Sequence, residues 1–394
     1  MKKVLFLGLG YIGLPTAAVA ATHGYQVIGV DVNPVVVDTI NQGRIHIVEP
    51  DLAKVVKEAV CNGALRATTK PEQADAFFVV PTPFKQNHRA DITYVESATR
   101  SVIPFLKEGD LFVIESTSPV FTTERMAEVI YKERPELKDK LYIAYCPERV
   151  LPGNTLYELV HNDRVIGGIN PESTGKAIEF YSAFVKGTLH RTNARTAEMC
   201  KLTENTFRDI NIAYANELSK VCDRLGIDVF KLIELANCHP RVNVHTPGVG
   251  VGGHCIAVDP WFIHEKFEDI TPLICQARLV NDGKPAWVAE RVARDVKPGQ
   301  KVAVLGMSFK ANIDDTRESP SVLFANLLRD KGYEIVACEP YICGMVAGYE
   351  NHSLEEAMAL CDYAVITLQH DLFKKNRALI ASKPYYDCVG LMEK

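Results

Sequence analysis

The pattern of apolar and polar positions opens with a short run, Lys3-Val-Leu-Phe-Leu-Gly8, that stops at glycine and predicts a buried strand. Residues 12–23 are rich in alanine and suit a helix, and Gln26–Val30 is a second apolar run ending at Asp31. Strand, glycine turn, helix, strand is the start of a parallel sheet. Further runs predict strands at Ala76–Val80, Leu111–Glu115, Leu141–Ala144 and Arg164–Ile169, with helical stretches between them. Residues 1–193 therefore read as one α/β domain. The pattern then changes. Residues 194–226 hold no proline, and no glycine before Gly226, and their period is that of one long helix. A second helical run at 228–237, a loop rich in glycine and proline from His239 to Pro260, and more helix to about Asp295 make 194–298 an all-helical linker domain. Near Gly299 the α/β pattern restarts. Lys301-Val-Ala-Val-Leu-Gly306 echoes the opening strand, followed by a helix at Ser321–Lys331 and strands at Tyr333–Cys338 and Asp362–Thr367. The fold class expected is α/β: two Rossmann-like domains, the second at 299–394, joined by a helical domain.

Composition narrows the picture. A chain of 394 residues is long enough for two or three packed units. Its 47% apolar and 24% charged residues exclude a disordered or fibrous chain. The net charge of −5 gives no basic surplus for nucleic acid or an anionic membrane. The 11 cysteines form no Cys-x-x-Cys pair, which fits a reducing cytoplasm and argues against a disulfide framework or a zinc ribbon. Residues 4–22 carry no charge and are about as long as a membrane span. Gly8, Gly10, Gly13 and Pro15 would interrupt an apolar helix, so a signal peptide or a span is not expected there.

Gly8-Leu-Gly10-Tyr-Ile-Gly13 leaves a strand and opens a helix. The first glycine permits the tight turn, the second lets backbone approach a pyrophosphate, and the third lets helix pack on strand. The helix N-terminus adds free N–H groups and a positive dipole end. Asp31, at the end of the second strand, can accept from both ribose hydroxyls and would repel a 2′-phosphate, so NAD is favoured over NADP. The plain alternative is a turn and a surface aspartate. Two later strand ends carry Val80-Pro-Thr82-Pro and Glu115-Ser-Thr117-Ser-Pro, where open sheets bind ligands, although each alone is more often a simple turn.

On the long helix Lys201, Asn205 and Arg208 share one face at i, i+4 and i+7. A solvated polar face is the bland reading. Apolar neighbours such as Leu202 and Ile212 suggest burial, which makes the stripe costly unless it meets a ligand. Gly250-Val-Gly-Gly-His-Cys255-Ile-Ala-Val-Asp259-Pro is the strongest segment. Its glycines let a bulky substrate come close and offer N–H donors for an anion. Cys255 is a candidate nucleophile if a cation such as Lys201 favours its thiolate; a bland buried cysteine is the usual case. His254 and Cys255 are adjacent, with no second spaced pair to complete a tetrahedral set, so no metal is expected. A simple alcohol dehydrogenase needs no thiol. A thiol serves when an aldehyde must lose a second hydride, through a thiohemiacetal and a thioester. NAD with a cysteine therefore points to four-electron oxidation of an alcohol to an acid.

These segments together resemble the nucleotide-sugar 6-dehydrogenases of the UDP-glucose/GDP-mannose dehydrogenase family, over nearly the whole chain. The resemblance rests on the opening glycine turn, Pro147-Glu148, Lys201 with Asn205, Gly-Gly-x-Cys255, and Phe309-Lys310 followed by Asp315-Thr-Arg317-Glu-Ser-Pro. Val258, where glucose and mannose enzymes typically carry lysine, Arg149 after Glu148, and His239-Pro-Arg241-Val-Asn favour the branch acting on UDP-N-acetylhexosamines, the mannosamine form before the glucosamine form. The resemblance implies Cys255 as nucleophile, Lys201 as acid/base and Asn205 as holder of the same oxygen or a water. It implies Asp259 as the group that assists proton transfer and orients Lys201, and Glu148 as the residue of thioester hydrolysis. It places the sugar nucleotide on Arg149, Val150, Lys201, Asn205, Arg208, His239, Arg241, Gly252, Phe309 and Lys310, and NAD on Tyr11, Ile12, Asp31, Thr82, Thr117 and Arg317. It also implies a homodimer through the long helix. Two rivals are a two-electron β-hydroxyacid dehydrogenase, which needs neither Cys255 nor the last domain, and a non-catalytic NAD or sugar-nucleotide sensor, which has no use for Cys255, Lys201 and Asn205.

Overall fold

The computed structural model describes residues 2–81, 84–86, 89–150, 153–253 and 255–392. They form two compact units, Met1–Thr203 and Glu204–Lys394.

In the first unit eight strands make one sheet, in the order Leu189–Asn193, Arg164–Gly168, Tyr142–Tyr145, Leu111–Ile114, Ala76–Val79, Lys3–Leu7, Gln26–Val30, Leu65–Thr68. The six from Tyr142–Tyr145 onward are parallel. Arg164–Gly168 joins them antiparallel and carries Leu189–Asn193 parallel to itself. Both faces are covered, which is why the strands read as unbroken apolar runs. Val4 and Phe6 face one core with Phe78 and Phe180, while Leu5 and Leu7 face another with Ile28, Phe77 and Phe112. The Phe6 and Phe78 rings stack at 4.5 Å, and Phe180, from helix Pro171–Tyr181, packs 4.4 Å from Phe78. The uncharged stretch 4–22 is thus strand, turn and the helix Gly13–Thr22, and not a membrane segment. From Lys3–Leu7 the chain first builds to one side and then returns to add Ala76–Val79 on the other. This reversal opens a crevice at the carboxyl ends of those two strands.

The second unit begins inside the helix Ala194–Leu225, 32 residues long. Helices Val229–Asn237, Asp259–His264, Pro272–Asp282 and Lys284–Val292 follow. Asp228 caps the first of these, accepting from the Phe230 and Lys231 N–H groups. A buried ion pair ties the long helix to Pro272–Asp282: Arg278 Nη1 lies 2.5 Å from Asp209 Oδ1, with both side chains 0% exposed. Asn281 donates to the same carboxylate at 2.8 Å. A parallel sheet then runs in the order Glu334–Cys338, Lys301–Leu305, Tyr363–Ile366, Tyr385–Asp387. The expected echo of the opening is real: Gly306 N–H donates to Cys338 O at 2.9 Å, as Gly8 N–H donates to Val30 O at 2.8 Å.

Candidate active site

The glycine turn is shaped by what a side chain would strike. Gly8 has φ +89°, which favours glycine. A Cβ on Gly13 would lie 1.9 Å from Gly8 O, so helix and strand meet here only through glycine. A Cβ on Gly10 would meet nothing within 4 Å, leaving its backbone open to a ligand. Asp31 closes the turn from the side: Oδ2 accepts from Leu9 N–H and Oδ1 from Asn33 N–H, both at 3.0 Å. Each oxygen keeps a lone pair for a ribose hydroxyl. Tyr11 is 45% exposed beside the turn, and Ile12 packs on the core as the residue before helix Gly13–Thr22. An open phosphate cradle at the N-terminus of a ten-residue helix, with a carboxylate at the next strand end, fits NAD. The second unit repeats the strand, its closing glycine and the acidic residue after the next strand, without the other two glycines, and it seals the site. Glu339, in the place of Asp31, accepts from Met307 and Ser308 N–H and from His370 Nε2. Glu339 and His370 are fully buried, so that carboxylate is spent inside the protein and has no face for a ribose.

Also in the first unit, Thr117 is buried just past strand Leu111–Ile114. Thr82 lies outside the described residues. Glu148 is buried, with Oε2 3.0 Å from Arg164 Nη2 and Oε1 accepting from Arg149 N–H at 2.7 Å. The Arg149 guanidinium donates to Asp163 O at 3.1 Å, and Val150 packs on the core. Lys201 is half-buried on the long helix. Arg164 is a participant that sequence reasoning missed; its only signal was a charge leading an apolar strand.

In the second unit the expected cysteine segment is built from within. Cys255 is exposed. Its carbonyl accepts from Val258 N–H at 3.0 Å and Asp259 N–H at 2.9 Å, a turn that feeds the short helix Asp259–His264. Asp259 is 2% exposed, and Asn205 Nδ2 donates to its Oδ2 at 2.6 Å. The glycines before the cysteine meet the C-terminal sheet's loop. A Cβ on Gly252 would lie 2.6 Å from Glu318 O and from Pro320, and one on Gly253 (φ +80°) 2.9 Å from the Phe309 ring. Phe309 is thus brought against Gly252, while Lys310 beside it is exposed. The expected buried Lys201, Asn205, Arg208 stripe is corrected in part: Asn205 is buried, but Arg208 is exposed and Ile212 only half-buried. Leu202, Asn205, Thr206, Asp209 and Ala213 form the inner side of this stretch; Lys201 and Ile212 lie on its flank, and Phe207 and Arg208 turn outward. Arg317 is paired with Asp315, its Nη2 2.6 Å from Oδ2. His239 and Arg241 lie on an exposed loop whose ends Asn237 clamps, accepting from Val244 N–H and donating to Val244 O. Among the described residues no cluster of three or more His, Cys, Asp or Glu could hold a metal.

The fold, with an open glycine turn at the head of its first domain, is that of an NAD-dependent oxidoreductase. Residues 2–185 match the model of the NAD binding domain of the UDP-glucose/GDP-mannose dehydrogenase family, residues 195–283 its central domain and residues 303–394 its UDP binding domain. The chain belongs to the UDP-glucose/GDP-mannose dehydrogenase family. It is 52% identical to UDP-N-acetyl-D-mannosamine dehydrogenase of Escherichia coli (strain K12), covering 93% of each chain. It is 50% identical to NDP-N-acetyl-D-galactosaminuronic acid dehydrogenase of Ralstonia nicotianae, over 95% of this chain and 92% of that one. A solved UDP-D-ManNAc dehydrogenase from Pyrococcus horikoshii superposes with TM-score 0.92 at 37% identity, covering 100% of this chain and 96% of that one.

Proposed function

We propose that the protein oxidises the C6 alcohol of UDP-N-acetyl-D-mannosamine to the uronic acid, reducing two NAD per sugar. One observation carries the reading: a buried, Asn205-bound Asp259 leads a helix that is bonded to the backbone of exposed Cys255. That arrangement pairs a proton-handling carboxylate with an accessible thiol, in a chain about half identical to dehydrogenases of N-acetylhexosamine nucleotides.

NAD, when bound, accepts the hydride in each oxidation. In the first, Lys201, oriented by Asp259, takes the hydroxyl proton, and Asn205 holds the same oxygen. Cys255 Sγ then adds to the aldehyde carbon and the oxygen gains a proton, giving a thiohemiacetal. In the second oxidation the carbon loses its hydrogen as hydride and the hydroxyl loses its proton, leaving a thioester on Cys255. Glu148 removes a proton from the attacking water, the C–S bond breaks, and the acid and the free thiol result. General acid–base help of this kind is worth about 10²–10⁴-fold for each step.

Gly8, Gly10, Tyr11, Ile12, Gly13, Asp31, Thr82, Thr117 and Arg317 are proposed to hold NAD. Arg149, Val150, Lys201, Asn205, Arg208, His239, Arg241, Gly252, Phe309 and Lys310 are proposed to hold the sugar nucleotide, with residues 1–193, 194–298 and 299–394 as the working domains. A homodimer through the long helix is supported by Phe207, Tyr214 and Val221, at seven-residue spacing and 63%, 52% and 51% exposed. A cytoplasmic location is supported by the free cysteines, and among the described residues no helix is long and apolar enough to cross a membrane.

The test is incubation with NAD and a panel of the UDP-linked N-acetyl mannosamine, glucosamine and galactosamine, following NADH and product mass. The mannosamine form should give two NADH per sugar and a C6 carboxylate. A single NADH, with the product stopping at the aldehyde, would sink the reading. Cys255→Ala should abolish acid formation and spare NAD binding.

A further inference from the structure

Behind Glu148 lies a buried cluster with no part in the chemistry above. Arg164 opens the strand Arg164–Gly168 and is 3% exposed. A guanidinium does not give up its proton inside a protein, so burying one demands acceptors. Arg164 Nη2 donates to Glu148 Oε2 at 3.0 Å and Nη1 to Cys146 Sγ at 3.8 Å, and its plane lies 5.0 Å over the Tyr181 ring. Tyr181 in turn donates its hydroxyl to Glu115 Oε1 at 2.6 Å. Glu115 is 0% exposed, and among the described residues its Oε2 and Arg164 Nε have no hydrogen-bond partner.

One buried guanidinium therefore bonds one carboxylate, Glu148, directly, and acts on the other, Glu115, by charge alone, across the Tyr181 ring. Burial pushes Glu115 up to about 7, against the pull of Arg164, and the charge of Glu148 adds to the rise. Burial also holds the Cys146 thiol up at about 12, so it brings no competing charge. Arg164 is left to Glu148. With Arg149 N–H on the other oxygen, both ends of the Glu148 carboxylate are held.

We propose that Arg164, backed by Tyr181 and Glu115, is a positioning residue that holds the Glu148 carboxylate aimed for thioester hydrolysis. The inference rests on the role given to Glu148 above. A purely structural ion pair would predict lost stability with every catalytic step slowed alike. A positioning role predicts that only the hydrolytic half suffers.

The experiment uses the full chain with NAD and UDP-N-acetyl-D-mannosamine, reading the first NADH phase by stopped flow and the covalent adduct on Cys255 by intact mass. Arg164→Met should leave the first phase and the sugar KM near wild type, lower kcat about tenfold or more, and let the thioester accumulate. Arg164→Lys should restore part of kcat. Tyr181→Phe keeps the ring and removes only the hydroxyl, so it decides the matter if Arg164→Met does not fold; it too should accumulate adduct. Glu148→Gln separates the two claims. If it accumulates no thioester, the role of Glu148 falls. If it does, and neither Arg164→Met nor Tyr181→Phe does, the positioning role is overturned.

Discussion

Asn205 donates a 2.6 Å hydrogen bond to Asp259, joining the long helix to the short helix that follows Cys255. The bond occupies one carboxylate oxygen and sets the direction of the other. Asp259→Asn would replace an acceptor with an amide and put two donors face to face unless the amide turns. NADH formation should fall about 10²-fold or more while NAD affinity stays within a factor of about two. Steady-state rates and NAD titration check this, and an unchanged kcat would remove Asp259 from the proton path.

Gly13 and Asp31 test the cofactor site in opposite ways. Gly13→Ala forces a Cβ to within 1.9 Å of Gly8 O, so the turn must open. Asp31→Ala leaves the turn's shape and removes a carboxylate. Both should weaken NAD, the second by about tenfold, in line with loss of a charged hydrogen bond. Calorimetric titration gives the numbers, and equal affinity of wild type and Asp31→Ala for NAD would refute the ribose contact.

Arg278 and Asp209 are paired with both side chains fully buried. Arg278→Met leaves the Asp209 carboxylate buried with only Asn281 to donate, and should cost about 3–5 kcal/mol of stability. Denaturant midpoints would show it. A shift below about 1 kcal/mol would mean that the site relaxes or admits water.

Glu115 makes stability depend on pH in a definite direction. Its folded value, about 7, lies above the ordinary 4.5. The folded state thus binds the proton more tightly, and its stabilising contribution is full below 4.5 and lost as pH rises through 7. Urea midpoints should fall between pH 5.5 and 8, and Glu115→Gln should fall less over that same span. Parallel curves for the two proteins would show that Glu115 keeps its ordinary value.

The exposed Phe207, Tyr214 and Val221 stripe tests the dimer. Phe207→Glu with Tyr214→Glu should turn a dimer into a monomer by light scattering. A wild-type chain that is already monomeric would refute the proposal.

Much of this was legible in the sequence, for reasons that differ by element. Lys3–Leu7 and Gln26–Val30 are buried on both faces, so nothing but apolar residues fits and the runs stand out. The helix Ala194–Leu225 announced itself by lacking proline and glycine. Of the strands overlooked, Leu65–Thr68, Leu189–Asn193 and Tyr385–Asp387 lie at the edges of the two larger sheets. There one face meets solvent, and sequences such as Leu-His-Arg-Thr-Asn look like loop. The Cys255 segment was visible because glycine crowding is rare around a cysteine. Its dependence on Phe309 was not, because a contact 56 residues away in sequence leaves no local pattern. Arg164 went unread for the same reason, since its value lies wholly in Glu148, Tyr181 and Glu115, which no spacing rule links to it.

Gly252 and Gly253 press so close to Phe309, Glu318 and Pro320 that neither glycine can gain a methyl group without moving the C-terminal loop. The Cys255 segment and the last hundred residues therefore cannot be inherited separately. A fragment stopped at residue 298 would keep Lys201, Asn205, Cys255 and Asp259, yet lose the wall against which the cysteine segment is moulded. A chimera that borrows a C-terminal domain to change which nucleotide is recognised must bring a matching Phe309 loop with it, or lose the fit of the Cys255 segment along with the old specificity.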